Sequence, residues 1–417
     1  MPVSLTLAPP LPVSGVRLAS VAAGIKSDGS IDLVLMALPE QAISAAVFTQ
    51  SHFAAAPVQL AQSHLASCSG AIKALLVNSG NANAGTGEAG LAMARGHCAA
   101  LAKHLGIAVD SVLPFSTGVI GQLLPDSLML AGIERAANAL QEEATLDHWR
   151  GAAEGIMTTD TRPKLTSRQC TISGNTVTLT GFAKGAGMIE PNMATMLAYV
   201  FTDAAIVQPL LDTMLRRALA KSFNAISVDS DTSTNDSMVL CATHAGPAIE
   251  TGSADETAFQ QALDSLCLDL AQAIIRDAEG ATKFVTVTVE QGDSTEECRS
   301  VARAIANSPL VKTALFASDA NVGRLLAAIG KAEVPQPVNT ELTRALDANR
   351  IRVLVGEVPA FELGGVAAGY TEEQGAAVFA QEDIDITVQL GRGGATYAMY
   401  TSDLSHDYVS INADYRS

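Results

Sequence analysis

The sequence predicts a mixed α/β protein whose strands end in glycine-rich turns. Of its 417 residues, 48% are hydrophobic but only 4% aromatic, so the apolar content is small and aliphatic, as closely packed helix-on-sheet layers require. Stretches with two-residue alternation also trade places with stretches of helical spacing along the whole chain, without internal repeats or low-complexity linkers.

Taken in order, AIKALLVNSGNANAGTG reads as a buried strand from Ala74 to Val77, then a glycine-rich turn, then a helix that ends near Gly106. SVLPFSTGVIG gives a short strand and a tight Ser-Thr-Gly turn. Helical spacing runs through IERAANALQEEATLDHWRGAAEGIM, TTDTRPK breaks it, and NTVTLTGF alternates as a strand. Pro209 opens a helix with Leu210, Met214 and Ala218 on one face, followed by a strand AISV and a polar loop DSDTSTND. Further helices fit AFQQALDSLCLDLAQAIIRDA and VGRLLAAIG. Strands fit KFVTVTVEQ, RIRVLV and DIDITVQL, the last closing on GRGG into a returning strand.

A net charge of −17 argues against a protein that binds nucleic-acid backbones, which needs a basic face. The six cysteines (Cys68, Cys98, Cys170, Cys241, Cys267, Cys298) form no C-x-x-C pair and no metal-ligand spacing, so reduced, inert thiols and no metal are expected. The start is broken by Pro9, Pro10 and Pro12 and lacks a basic leader, and no apolar run approaches membrane-spanning length. A cytoplasmic enzyme without membrane partners is expected.

The stretch richest in chemistry is KGAGMIEPNMATMLAYVFTDA, Lys184 to Ala204. A small-residue step, Ala194-Thr195, precedes an apolar strand-like run. A branched Cβ restricts the Thr195 rotamer, which suits a nucleophile. If its hydroxyl attacked the Ala194 carbonyl and water released the resulting ester, a new N-terminal threonine would carry both a nucleophile and an α-amine of pKa about 7.7–8.0 to act as its base. An isolated Ala-Thr step is ordinarily a strand hydroxyl bonded to backbone; the surrounding motif is what distinguishes this one.

That motif resembles the self-cleavage segment of the arginine-pathway ornithine acetyltransferase, or glutamate N-acetyltransferase, family (the ArgJ family), whose nucleophilic threonine falls in a run like M-A-T-M-L. Similar blocks follow in family order over nearly the whole chain: VFTQSHFAAAPV (47–58), LLVNSGNANAGTG (75–87), STGVIG (116–121), IMTTDTRPK (156–164), SFNAISVDSDTSTND (222–236), EGATK (279–283) and the terminal YVSINADYRS. The resemblance implies a layered αββα-type sandwich with a smaller α/β portion, self-processed into two interwoven chains, 1–194 and 195–417, assembled as an α2β2 heterotetramer. It implies ping-pong acetyl transfer from N2-acetylornithine to glutamate with no cofactor; acetyl-CoA is a further co-substrate for bifunctional members. The alternative on the related self-processing fold is an amidohydrolase or aminopeptidase.

Residue by residue, the resemblance assigns the cleavage site to Ala194 and Thr195, the nucleophile to Thr195, and the oxyanion hole to the Thr117 side chain and the Gly118 amide. It assigns substrate contacts to Thr158, Lys184, Thr195, Glu279, Asn412 and Ser417. Lys184 could pair with a substrate carboxylate or depress the Thr195 amine, and Glu279 could meet an ammonium group. Two departures stand out: Val322 where relatives commonly carry tryptophan, and Ser417 where many carry threonine.

Other signals are weaker. The glycines of NSGNANAGTG fit neither a P-loop nor a dinucleotide fingerprint, so a packed turn beneath the site is expected. DSDTSTND begins like a calcium loop, but Thr234 replaces the required glycine and Leu240 the bidentate glutamate, so a hydrogen-bonded loop supporting the Thr195 region is expected. The seven histidines share no local motif with a serine or cysteine nucleophile.

Overall fold

The computed structural model describes residues 3–190 and 196–414. It divides into two compact units: Thr6–Asn224 with Asp231–Ile274, and Met1–Leu5 with Ala225–Ser230 and Ile275–Ser417. This division is separate from the covalent boundary expected between residues 194 and 195.

The first unit holds two sheets. One has the order β1 (Arg17–Val21), β2 (Leu33–Ala37), β4 (Ala74–Asn78), β5 (Val112–Ser116); the other runs β3 (Ile43–Phe48), β10 (Ser237–Ala242), β8 (Leu197–Thr202), β7 (Asn175–Lys184), β6 (Lys164–Ile172). Strand alternation sends successive side chains to opposite faces. Leu18, Val34, Met36, Leu75, Val77 and Phe115 therefore meet Phe182, Tyr199, Phe201 and Val239 between the sheets. Ala19, Leu33, Leu35, Ala74 and Leu76 turn the other way, onto α2 (Gly87–Leu105) and α3 (Asp126–Ala139). On the far side, α5 (Gln208–Lys221) lies against β3 and β10, while Leu266 and Leu270 of α6 (Ala254–Arg276) pack over Gly181 of β7. Helix, sheet, sheet, helix is the layering that the resemblance implied.

Five aromatic residues, Phe115, Trp149, Phe182, Tyr199 and Phe201, meet in the middle of this sandwich. Trp149, fully buried on α4 (Leu146–Gly155), sits edge-on to Phe201 at 5.4 Å between ring centroids, and Phe115 edge-on to Tyr199 at 5.3 Å. Edge-to-face pairs add roughly 0.5–1.5 kcal/mol beyond the area they bury. Between the sheet and its first helix, α1 (Ala56–Ser67) starts on Pro57 at its N-terminal turn.

The second unit is a seven-stranded sheet with the order β14 (Gly365–Val366), β13 (Val358–Glu362), β12 (Arg352–Val355), β15 (Asp383–Gln389), β11 (Phe284–Gly292), β16 (Ala395–Ser402), β9 (Ile226–Ser227). Its apolar face packs on α7 (Thr295–Ala306), α8 (Pro309–Phe316) and α9 (Val322–Gly330), with α10 (Glu372–Phe379) alongside and α11 (His406–Asp414) closing the described chain. Val322 begins α9 buried, at 9% exposure. Among the described residues, no helix is long and apolar enough to cross a membrane.

Three expectations are corrected. The long helical stretch is two helices, because Leu140 leaves α3 extended and Thr145 restarts the ladder, its N–H donating to His148 Nδ1 at 3.0 Å. DIDITVQL and its return do not form a hairpin: β11 lies between them, parallel to β15 and antiparallel to β16. The strand AISV is reduced to two residues, Ile226–Ser227, beside β16. The six cysteines are free, and burial pushes the thiols of Cys98 and Cys241 up to about 12, as inert interior groups.

Candidate active site

The parallel strands β4 and β5 end in register, Asn78 beside Ser116, and their two turns are tied to each other. The Ser116 hydroxyl donates to Asn78 Oδ1 at 2.6 Å, and the Thr117 amide to the Asn78 carbonyl at 3.0 Å. Asn78 Nδ2 donates to the Asn81 carbonyl at 2.8 Å. Val119 N–H reaches Gly80 O at 3.3 Å, and Ala82 N–H reaches Val119 O at 2.9 Å. The NSGNANAG turn is thus the bed on which STGVIG rests.

Gly118 is where this contact is tightest. Its φ is +131°, and a Cβ there would stand 2.3 Å from the Gly80 carbonyl carbon and 2.4 Å from the Asn81 nitrogen. Only glycine permits both the backbone angle and the approach. From the other flank, Asn235 Nδ2 donates to Ala82 O at 2.6 Å and to Ser116 O at 2.9 Å, so the end of DSDTSTND braces the turn. The same loop accepts the Glu190 N–H through Asp231 O at 3.1 Å, next to the segment that leads to Thr195.

Lys184, the last residue of β7, donates from Nζ to Thr117 Oγ1 at 3.3 Å. A hydroxyl that accepts a bond on its lone pair keeps its own proton to donate, which is what an oxyanion contact requires. Behind Lys184, Asp160 gathers the neighbouring backbone. Its carboxylate accepts from Gly185 N at 2.7 Å, from Thr158 N at 3.0 Å, and from Lys164 Nζ at 2.6 Å in an ion pair whose two side chains are fully buried. Burial by itself pushes the Asp160 carboxyl up, but the ammonium groups of Lys164 and Lys184 and the Gly185 N–H outweigh it and hold it below the usual carboxylate range. Asp236 shows the opposite balance. It is 2% exposed with one carboxyl oxygen lacking a hydrogen-bond partner among the described residues, and burial keeps it well above the usual range despite Ser233 and Lys184.

In the second unit, Asn412 Nδ2 on α11 donates to Glu279 Oε2 at 2.7 Å. The EGATK turn is fixed by Asp403, which accepts from the N–H groups of Thr282 and Lys283 at 2.8 and 3.0 Å. At Gly280, φ is +68° and a Cβ would come within 2.5 Å of Ser405 Oγ, so the turn lies flush against the start of α11.

The structure therefore brings Thr117, Gly118, Thr158 and Lys184 together in one unit, and Glu279 with Asn412 in the other. Ala194, Thr195 and Ser417 lie outside the described residues. Sequence reasoning missed Asp160, Lys164, Asn235 and Asp236 as parts of this neighbourhood, although all four stand inside or at the end of the quoted blocks TTDTRPK and DSDTSTND.

The first unit is a layered α/β sandwich in which an ammonium group donates to the hydroxyl of a threonine-glycine turn. A family model described as the ArgJ family matches residues 17–417, and the chain belongs to that family. It is 49% identical over 409 residues to the arginine biosynthesis bifunctional protein ArgJ of Pseudomonas syringae pv. tomato, covering 97% of each chain. It is 50% identical over 408 residues to the protein of the same name from Methylococcus capsulatus, covering 97% of this chain and 96% of that one. Among solved structures, the arginine biosynthesis bifunctional protein ArgJ of Bacillus halodurans is 35% identical with a TM-score of 0.49, over 53% of this chain and 100% of that one.

Proposed function

We propose that this chain transfers an acetyl group from N2-acetylornithine to glutamate through an acetyl-threonine intermediate on Thr195. The observation that carries the reading is the contact of Lys184 Nζ with Thr117 Oγ1 on a turn that admits only glycine at its next residue. The Thr195 hydroxyl attacks the acetyl carbonyl while its α-amine takes the proton, and Thr117 and Gly118 hold the oxyanion. The amide C–N bond then breaks, the amine returns the proton to the leaving nitrogen, and ornithine departs. The glutamate amine attacks the ester, N-acetylglutamate leaves, and the threonine is restored. The family resemblance supports Thr158, Lys184, Thr195, Glu279, Asn412 and Ser417 as the substrate-binding residues.

Thr195 becomes N-terminal when its hydroxyl attacks the Ala194 carbonyl and water hydrolyses the ester, giving fragments 1–194 and 195–417 that stay together as an α2β2 assembly in the cytoplasm. Both curated relatives are called bifunctional, which supports acetyl-CoA as a second acetyl donor.

The test is direct. Purified protein is expected to run as two fragments, one beginning at Thr195, and to release ornithine from N2-acetylornithine in proportion to glutamate consumed. Free acetate produced without dependence on glutamate would make the chain an amidohydrolase instead. Gly118→Ala is expected to lower kcat about 10²–10³-fold, the cost of a displaced oxyanion donor. A variant with wild-type kcat would remove the S-T-G turn from the mechanism.

A further inference from the structure

A ping-pong enzyme of this kind faces a problem of charge. Its donor and acceptor share an α-carboxylate, but beyond it the ornithine side chain ends in an ammonium and the glutamate side chain in a carboxylate. One cation beside the reacting carbonyl, Lys184, answers the shared group only.

The loop between β1 and β2 brings a second cation to the same turn. Asp32, fully buried, accepts from the backbone N–H groups of Ala23, Gly24, Ile25 and Lys26, all at 3.0 Å or less, and fixes that loop as a compact cradle. The Lys26 stem lies on Gly80: a Cβ at Gly80 would stand 3.0 Å from Lys26 Cγ. Gly80 is also the residue pressed against Gly118. Two glycines in contact thus let the Lys26 stem reach the neighbourhood of the oxyanion turn. The head donates to Ile31 O at 3.2 Å, which uses one of its three N–H groups.

We propose, resting on the acetyl-transfer reading, that Lys26 binds the side-chain carboxylate of the acyl acceptor and so selects glutamate. Each acid nearby is paired, buried or turned onto backbone N–H groups. Asp160 is paired with Lys164, Asp32 is spent on backbone N–H groups, Asp28 accepts the Ser30 N–H at 2.9 Å, and burial raises the Asp236 pKa well above the usual range. Burial lowers the Lys26 pKa, Asp28, Asp32 and Asp160 oppose that, and Lys184 adds to it, so the two ammonium groups feel each other. An arriving carboxylate relieves that repulsion. A four-carbon stem on a half-buried residue can also swing aside for a ligand with an ammonium end.

The alternative is that Lys26 only closes its own loop through Ile31. In a ping-pong scheme kcat/KM is measured separately for each substrate, so Lys26→Met and Lys26→Arg separate the two. Lys26→Met is expected to lower kcat/KM for glutamate at least tenfold, chiefly through KM, and to leave kcat/KM for N2-acetylornithine within threefold. Its preference for glutamate over glutamine should collapse, and Lys26→Arg should restore it. Calorimetric titration with glutamate and with glutamine should show the same loss of discrimination in binding. Equal losses for both substrates, or an unchanged glutamate-to-glutamine ratio, overturn the proposal. A wild type that binds glutamate but transfers no acetyl group overturns the functional reading instead, and the titrations still decide Lys26.

Discussion

Thr195→Ala is expected to remain a single 43.1 kDa chain and to lose acetyl transfer by at least about 10⁴-fold. Both losses have one cause. In the proposed mechanism the hydroxyl attacks the Ala194 carbonyl during maturation and later receives the acetyl; methyl can do neither. The free amine proposed as the base also never forms, because it would exist only after the bond ahead of residue 195 has broken. Thr195→Ser retains the hydroxyl and is expected to mature more slowly, because a serine rotamer is less restricted, and to keep measurable turnover. Fragment masses, N-terminal sequencing and ornithine release follow the two events separately. An alanine variant that is cut at the same bond, or that still transfers acetyl, would dismantle the mechanism.

The second large effect is on stability. Asp160→Ala leaves Lys164 with its ammonium in a fully buried site and removes the acceptor for the Gly185 and Thr158 amides. Breaking a buried ion pair from one side costs about 3–5 kcal/mol. In a unit of this size that corresponds to a drop in Tm of roughly 6–20 °C. Asp160→Ala combined with Lys164→Met removes both charges, and most of the loss should return in thermal unfolding. If the single variant unfolds within about 2 °C of wild type, a shift that a loss of only about 1 kcal/mol would give, the pair is not holding the base of the site.

The pH dependence has a definite sign. The Asp160 carboxyl titrates lower in the folded protein than in the unfolded chain, because Lys164, Lys184 and the Gly185 N–H overcome the effect of burial. The unfolded chain therefore binds more protons as pH falls, and the stabilisation is fully present above the unfolded value of about 3.9. It is lost as pH drops further, through the folded value. The stability gap between wild type and Asp160→Asn should be flat from pH 7 to about 5 and narrow below about 4.

Much of the fold was legible because local chemistry and the final structure agree. Gly106 ends α2 in the left-handed region, at φ +68°, as the glycine after a helical run should. Leu210, Met214 and Ala218 are all buried along one face of α5. β6 was missed although the dipeptide Ser173-Gly174, both at positive φ, joins it to β7 by a two-residue turn between Ile172 and Asn175. The order β15-β11-β16 could not be read locally, since β11 comes about a hundred residues before the strands it separates. In the candidate site, the nearness of Lys184 to the Thr117-Gly118 turn was legible through the motif. Asp160 was not, because its importance lies in partners 4 and 25 positions away that meet only when β6 and β7 pair.

The strand order β3-β10-β8-β7-β6 also has a consequence for the mature enzyme. β3, β7 and β6 come from before the Ala194-Thr195 bond, and β10 and β8 from after it. The proposed scission would therefore leave two strands of the later piece clasped between strands of the earlier one, by the β3–β10 and β7–β8 ladders. Neither piece can complete that sheet alone. Folding must precede the cut, and the nicked protein should melt in one transition, whereas the pieces made separately would have to find each other by collision before either acquired its core.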